Sequence, residues 1–329
     1  MYHAFMKAIM SHISALEYWK SVRLSPHAFW PVTSTPALLS APPELRTPDE
    51  LEGMEVSAPV HVLVGNHNAR RSSGYFTSHV RKGKLPRGSI VHIEDELYVC
   101  SPELTFVQMA TMVELPELIR IGFELCGKYD DSSNSVLSCD PLTRIRKLSA
   151  YVERAEGVFG REKALRALKY LADNSASPRE TILTMLLCLP YRLGGYRIEM
   201  PRLNYRIDLS KEAKKIAHKG YCECDLYWPR FKFAVEYDSN EFHTGAERIA
   251  DDSSRRAALA KMGIAVVAVT NRQLYDSGRF NKLAHFIAEN TGKRLQYKDP
   301  EFTRSHFRLR KLLFEELDRR DDRLSVHVR

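Results

Sequence analysis

Two periodicities run along this chain and mark out its elements before any chemistry is considered. One alternates apolar and polar positions and the other returns every third or fourth residue. The clearest alternation covers residues 221–228 and 231–238, joined by Pro229-Arg230, and predicts a tight β-hairpin. Pairing Trp228 with Phe231 across that turn sets Asp225 opposite Ala234 and diagonal to Glu236. A helical stretch over 246–262 ends at Gly263, and the β-branched run 264–269 predicts a buried strand. Upstream, 60–64 and 89–100 read as β segments flanking a loop, and Ser101-Pro102-Glu103 opens a helix followed by the apolar-rich stretch 104–125. Two helices are predicted at 142–156 and 161–173. Residues 1–55, with a helical pattern near 14–22 and a proline-rich piece at 26–43, read as an arm and linker docked by Trp19, Phe29 and Trp30. Residues 302–323 form an amphipathic helix, open to packing on the body or to dimerising.

Composition narrows the class. A chain of 329 residues, 44% hydrophobic and 27% charged, reads as an ordinary soluble protein of two domains. The net charge is +8, and its excess of Lys and Arg falls in residues 177–294, while residues 1–176 are balanced. Such a distribution suits a phosphate-backbone partner, with solubility as the plain alternative. Between His67 and Gly88 lie Arg70, Arg71, Arg81, Lys82, Lys84 and Arg87, with Tyr75 and Phe76 interleaved and no acidic residue. That loop reads either as a nucleic-acid contact or as a solvated basic loop. The six cysteines form no C-x-x-C, and Cys222 and Cys224 share a strand face opposite Asp225, as core residues do. No signal-like apolar stretch and no run of 18 apolar residues is present, so the expectation is a cytoplasmic protein.

The hairpin carries the candidate chemistry. Asp225, Glu236 and Asp238 converge on one end of it, and clustered carboxylates repel unless a cation sits among them. Hard oxygen donors suit Mg²⁺, with Mn²⁺ as a substitute. Glu236 follows Phe233-Ala234-Val235, where an unpaired carboxylate would be expensive. Ser177-Pro178-Arg179-Glu180 is a capping box, which explains Glu180 without any metal. His243 is either structural or a base that positions water. Asp252 and Arg255 stand one helical turn apart, as a surface ion pair would.

Taken in order, Glu180, Asp225, Glu236-Tyr237-Asp238, His243, Asp252-x-x-Arg255 and Gly263-Ile264-x-Val266-Val267 resemble the endonuclease-domain family related to very-short-patch-repair (Vsr) nucleases. That family lies within the PD-(D/E)XK nuclease superfamily, and the resemblance covers residues 177–291. It implies an α/β fold over 177–295, with a central mixed sheet flanked by helices. A small α+β domain over 56–130 and a helical bridge over 131–176 would precede it, and a C-terminal helix over 296–329 would follow. It also implies metal-dependent hydrolysis of phosphodiester bonds, with DNA as substrate. Asp225 and Glu236 would hold Mg²⁺ with Glu180 or Asp238 assisting, His243 would serve as base, and Asp252 and Arg255 would buttress the site. Asp238 stands where the superfamily's lysine usually does, and Ser239 where relatives carry glycine. The alternative is therefore a catalytically silent nuclease fold acting as a DNA-binding or antitoxin-like regulator. An RNA nuclease would keep the same site. Residues 61–129, ending Gly-Phe-Glu-Leu-Cys-Gly-Lys-Tyr, are similar to the effector-side domain of AbiEi-type antitoxins of type IV toxin–antitoxin systems, which implies a protein partner of that type.

Overall fold

The computed structural model describes residues 7–24, 30–31, 39–40, 42–44, 56–71, 73–81, 83–130, 136–238 and 246–326. It divides into two units, Met1–Leu171 and Ala172–Arg329. Both are built of helices on β-sheets, so the chain is α/β with mixed sheets flanked by helices. Among the described residues no helix is long and apolar enough to cross a membrane.

The first unit runs β1 (Ala8–Met10), α1 (His12–Ser21), β2 (Trp30–Pro31), β3 (Val60–Val64), β4 (Phe76–Val80), β5 (Ile90–Glu94) and β6 (Leu97–Cys100). Helices α2 (Pro102–Met109) and α3 (Leu115–Cys126), the short strands β7 (Tyr129–Asp130) and β8 (Leu137–Ser138), and helices α4 (Ile145–Arg154) and α5 (Arg161–Leu168) complete it. The sheet order is β2-β5-β6-β1-β3-β4. Residues 8–10 are thus no arm: β1 lies inside the sheet, parallel to β6 and antiparallel to β3. Its three apolar residues are all buried, as a strand covered on both faces requires.

Two further expectations change here, and one apolar stretch takes definite form. The basic segment 67–88 is not all loop, because Phe76–Val80 pairs in parallel with β3. Thr77, Ser78 and His79 hid that strand by replacing the apolar positions that sequence patterning relies on. The apolar stretch 104–125 resolves into two helices. It turns at 110–114, and Pro116 opens α3, where a missing N–H costs nothing. The helices taken for a bridge pack into the first unit, with Leu148, Tyr151, Val152, Ala164 and Ala167 buried. The Tyr151 hydroxyl meets Ser89 Oγ at 2.6 Å.

The second unit begins with α6 (Pro178–Cys188), then β9 (Arg202–Asp208), α7 (Lys211–Ala217), β10 (Tyr221–Trp228) and β11 (Phe233–Asp238). It continues with α8 (Ala246–Lys261), β12 (Ala265–Thr270), α9 (Asn271–Tyr275), α10 (Ser277–Asn290) and α11 (Glu301–Val326). The sheet order β12-β11-β10-β9 makes three antiparallel strands in sequence, with β12 added parallel to β11. Helices α7 and α8 cover one face through Ala213, Ala217, Ala258 and Leu259 against Cys222, Cys224 and Ala234. The C-terminal helix packs back on its own unit. Leu309, Leu313 and Leu317 are buried, His306 Nδ1 meets the Gly194 carbonyl at 2.7 Å, and Arg310 donates to the carbonyls of Leu274 and Tyr275.

The hairpin register differs from the sequence reading. Trp228 pairs with Phe233, Tyr227 with Ala234 and Leu226 with Val235. Pro229–Phe231 forms a 3₁₀ turn, and Lys232 adopts a left-handed conformation at φ 46°. A two-residue hairpin turn needs positive or unusual φ that proline does not take, so the loop lengthens. The slip is two residues, an even number, so the pairs beside the turn, 226–228 with 233–235, keep the faces the alternation assigned.

Because β1 is central and Met10 fully buried, Met10→Ala should destabilise the first unit by about 2–4 kcal/mol, measured by urea unfolding. Near-neutrality of that substitution would contradict an interior β1.

Candidate active site in the second unit

Both ladders of β10 break at one residue. The recorded β10–β11 pairs stop at Leu226↔Val235, and the β9–β10 pairs resume on either side of Asp225, leaving it and Asn204 unpaired. Asn204 sits at φ 44°, the left-handed region that Asn tolerates better than most residues. The break turns side chains toward one another. Asp225 Oδ2 takes the Tyr237 N–H at 2.8 Å, a proton the strand would otherwise offer to a main-chain carbonyl. Asn204 Nδ2 donates to Glu180 Oε2 at 2.6 Å and to the Asn174 carbonyl at 3.0 Å. Ladder irregularities of this kind commonly re-aim side chains at sites.

Glu180 arrives from the first turn of α6. Ser177 Oγ accepts the Glu180 N–H at 3.1 Å, so the helix cap expected from the sequence is present. The carboxylate does more than close that cap. It accepts from the Ala176 N–H at 3.0 Å, from Ser177 Oγ at 2.9 Å and from Asn204. It is buried. Burial first, and the nearby Asp225 charge second, push its pKa up to about 7. Burial also raises Asp225, restrained by the Tyr237 N–H and by Arg255.

Glu236 projects from β11 into a bidentate pair with Arg255 of α8, donated by both terminal nitrogens, Nη1 at 2.7 Å. Arg255 Nη2 also donates to the Glu223 carbonyl at 3.0 Å, which ties the helix to β10. Burial raises the Glu236 pKa, Arg255 opposes that rise, and Asp225 adds to it. Three carboxylates, Glu180, Asp225 and Glu236, therefore form an electrostatically linked row with Arg255 at one end.

The other sequence candidates fall differently. Asp238 is half-buried at the end of β11, beside Thr270 of β12. Asp252 is exposed on α8, one turn before Arg255, and the Glu236 pair is Arg255's ionic contact rather than Asp252. His243 and Ser239 lie outside the described residues, as does Lys82. Arg70, Arg71, Arg81, Lys84 and Arg87 are exposed, and all belong to the first unit. Two features escaped the sequence reading. Asn204 looked like an ordinary polar strand residue, and nothing in its neighbours marks the ladder break. Lys211, Lys214, Lys215 and Lys219 form an exposed basic edge on and after α7, which the spacing K-E-A-K-K-x-x-x-K could have revealed.

Among the described residues no three His, Cys, Asp or Glu side chains gather at a spacing that would hold a metal ion. The donor chemistry still suits a hard divalent cation: desolvated, mutually repelling carboxylates offset by the Arg255 guanidinium in direct contact and by Arg256 nearby. Compared with protein-family models, curated proteins and solved structures, the chain has no significant match.

Glu180 binds its proton more tightly folded than unfolded. The contribution of Glu180 to stability is therefore full below pH 4.5 and is lost as pH rises through about 7. Glu180→Gln should accordingly raise the melting temperature of the metal-free protein at pH 8 by roughly 2–6 °C. The gap should close near pH 4.5, as read by calorimetry across that range. A pH-independent difference would show that the carboxylate is not protonated on folding.

Proposed function

We propose that the second unit is a metal-dependent endonuclease of the Vsr-like PD-(D/E)XK kind, hydrolysing phosphodiester bonds in DNA. The observation that carries the reading is the row of desolvated carboxylates, in which Glu180 is pushed up to about 7 beside Asp225 and Glu236 is held by one guanidinium. A structural role alone gives little reason to desolvate three neighbouring carboxylates of which only Glu236 has an arginine in direct contact, since the desolvation penalty exceeds what a single pair returns. A mixed sheet flanked by helices is also the architecture expected of that superfamily. Exposed Arg202 and Arg206 on the edge strand β9, with the Lys211–Lys219 edge, supply cations for a nucleic-acid backbone.

Asp225 and Glu236 would hold Mg²⁺ or Mn²⁺, with Glu180 or Asp238 assisting. When bound, the ion supplies charge neutralisation at the phosphate and a water of lowered pKa. The chain's own contributions follow from its contacts. Tyr237 N–H fixes the Asp225 carboxylate. Asn204 and the Ala176 N–H fix that of Glu180. Arg255, once exchanged from Glu236, is a planar fork suited to two phosphate oxygens.

A second reading has its own observation. Arg255 engages both oxygens of Glu236, and Asp238 stands in place of a lysine, as in a silent nuclease fold that binds DNA or regulates like an antitoxin. Titration of Mg²⁺ and Mn²⁺ into the wild type and Asp225→Ala, followed by plasmid nicking, separates the two. The enzyme reading expects metal binding lost in the variant, and metal-dependent nicking that falls by about 100-fold or more in Glu236→Gln. Absence of both binding and nicking in the wild type would leave the regulatory reading standing. Glu236→Gln as active as wild type would sink the site assignment itself.

A further inference from the structure

The first unit holds a cavity of about 480 Å³ that the carboxylate row does not involve. Among the described residues its lining carries Arg70, Arg81 and the imidazoles of His12, His67 and His79, and no acidic residue. Such a set is electrostatically one-sided. A cavity of this size falls within the range that small-molecule ligands fill, and donors without acceptor carboxylates select an anion.

The histidines are built in rather than scattered. His12 is buried and stacks on His79 with ring centroids 3.7 Å apart, and His79 Nε2 meets His61 Nδ1 at 3.0 Å. Burial, with the neighbouring imidazoles adding to it, lowers His12 to about 3 and His79 to about 4, so the stack is neutral at pH 7. His12 also sits at φ 52°, in the left-handed region, where its N–H is taken by Gln108 Oε1 at 3.1 Å. A non-glycine residue held in that conformation costs on the order of 1–3 kcal/mol and persists where the surroundings enforce it. Here the enforcing residue, Gln108, lines the same cavity.

Opposite chemistry completes the lining. Leu63, Val80, Leu104 and Val158 are apolar, and Phe159 and Met112 remain largely exposed, at 68% and 44%. A ligand that satisfies both ends is charged at one end and planar or apolar at the other. Two guanidinium groups together with imidazole donors offer more hydrogen bonds than a carboxylate's two oxygens use well, whereas a phosphate presents three strong acceptors. We infer that this cavity binds the phosphate of a nucleotide between Arg70, Arg81 and His79, with the base against Phe159.

The two sources of that group are a free mononucleotide and the phosphorylated end of a nucleic-acid strand. The test is calorimetric titration of the full-length protein, with EDTA present so that no metal site contributes. The probes are AMP, CMP, adenosine, inorganic phosphate and a 5′-phosphorylated trinucleotide. Saturable binding of a mononucleotide or of the trinucleotide is expected, tighter than inorganic phosphate and weakened by about tenfold or more in Arg70→Gln/Arg81→Gln. Phe159→Ala should weaken the nucleotide while sparing inorganic phosphate. Both arginines and Phe159 are exposed, so these variants should keep the fold, checked by circular dichroism. A trinucleotide that binds tighter than AMP assigns the site to a strand end, and the reverse order assigns it to free nucleotide; either upholds the inference. Adenosine binding as tightly as AMP, an unchanged affinity in the double arginine variant, or no saturable binding of any phosphate probe would overturn it.

Discussion

The second unit turns on one ion pair, Arg255 with Glu236. It is formed across the gap between a helix and a sheet, and it offsets part of the charge of a row of carboxylates that the fold has taken out of water. Remove the guanidinium and Glu236 is a buried anion next to Asp225, a condition that costs several kcal/mol unless the group takes up a proton. The same contact docks α8, since Arg255 also reaches the Glu223 carbonyl on β10. One side chain therefore sets helix position and site charge together.

What places the carboxylates is less visible than what neutralises them. The sheet supplies a regular scaffold and then departs from it at Asp225 and Asn204. Where the main chain stops pairing, side chains take over its hydrogen bonds, Asp225 serving the Tyr237 N–H and Asn204 serving Glu180. The site is thus an interruption in a ladder, held by the regular β9–β10 pairs on either side of it and by the β10–β11 pairs toward the turn. The helix start adds the third member without extra machinery, because a capped first turn already aims its glutamate back along the chain.

Much of this was legible in the residues. Alternation located the hairpin, β-branched residues located β12, and the order of charged residues drew attention to Glu180, Asp225, Glu236 and Arg255. The missing parts share a cause, which is that they depend on contacts distant in sequence. Nothing local in Ala8–Met10 says that this strand lies between β6 and β3, and nothing local in Asn204 says that its partner strand has let go of it. The polar residues Thr77, Ser78 and His79 concealed β4 for the same reason, since what places them in the sheet is pairing with β3 and the stack of His79 on His12, both distant in sequence. The register slip at Pro229 was readable in principle, because proline is poorly suited to the shortest hairpin turns.

The interior position of β1 also bears on how the first unit comes into being. Ala8 pairs with Leu97, so the parallel neighbour of this strand is made only after most of the unit's other strands have left the ribosome. Parallel pairing between distant segments closes a large loop before any contact rewards it. During synthesis the β3–β4 side has to wait with an apolar strand, Ala-Ile-Met, and no second partner. That sheet is therefore a late-closing structure, completed from its middle, and its nascent form exposes an edge that the finished protein hides.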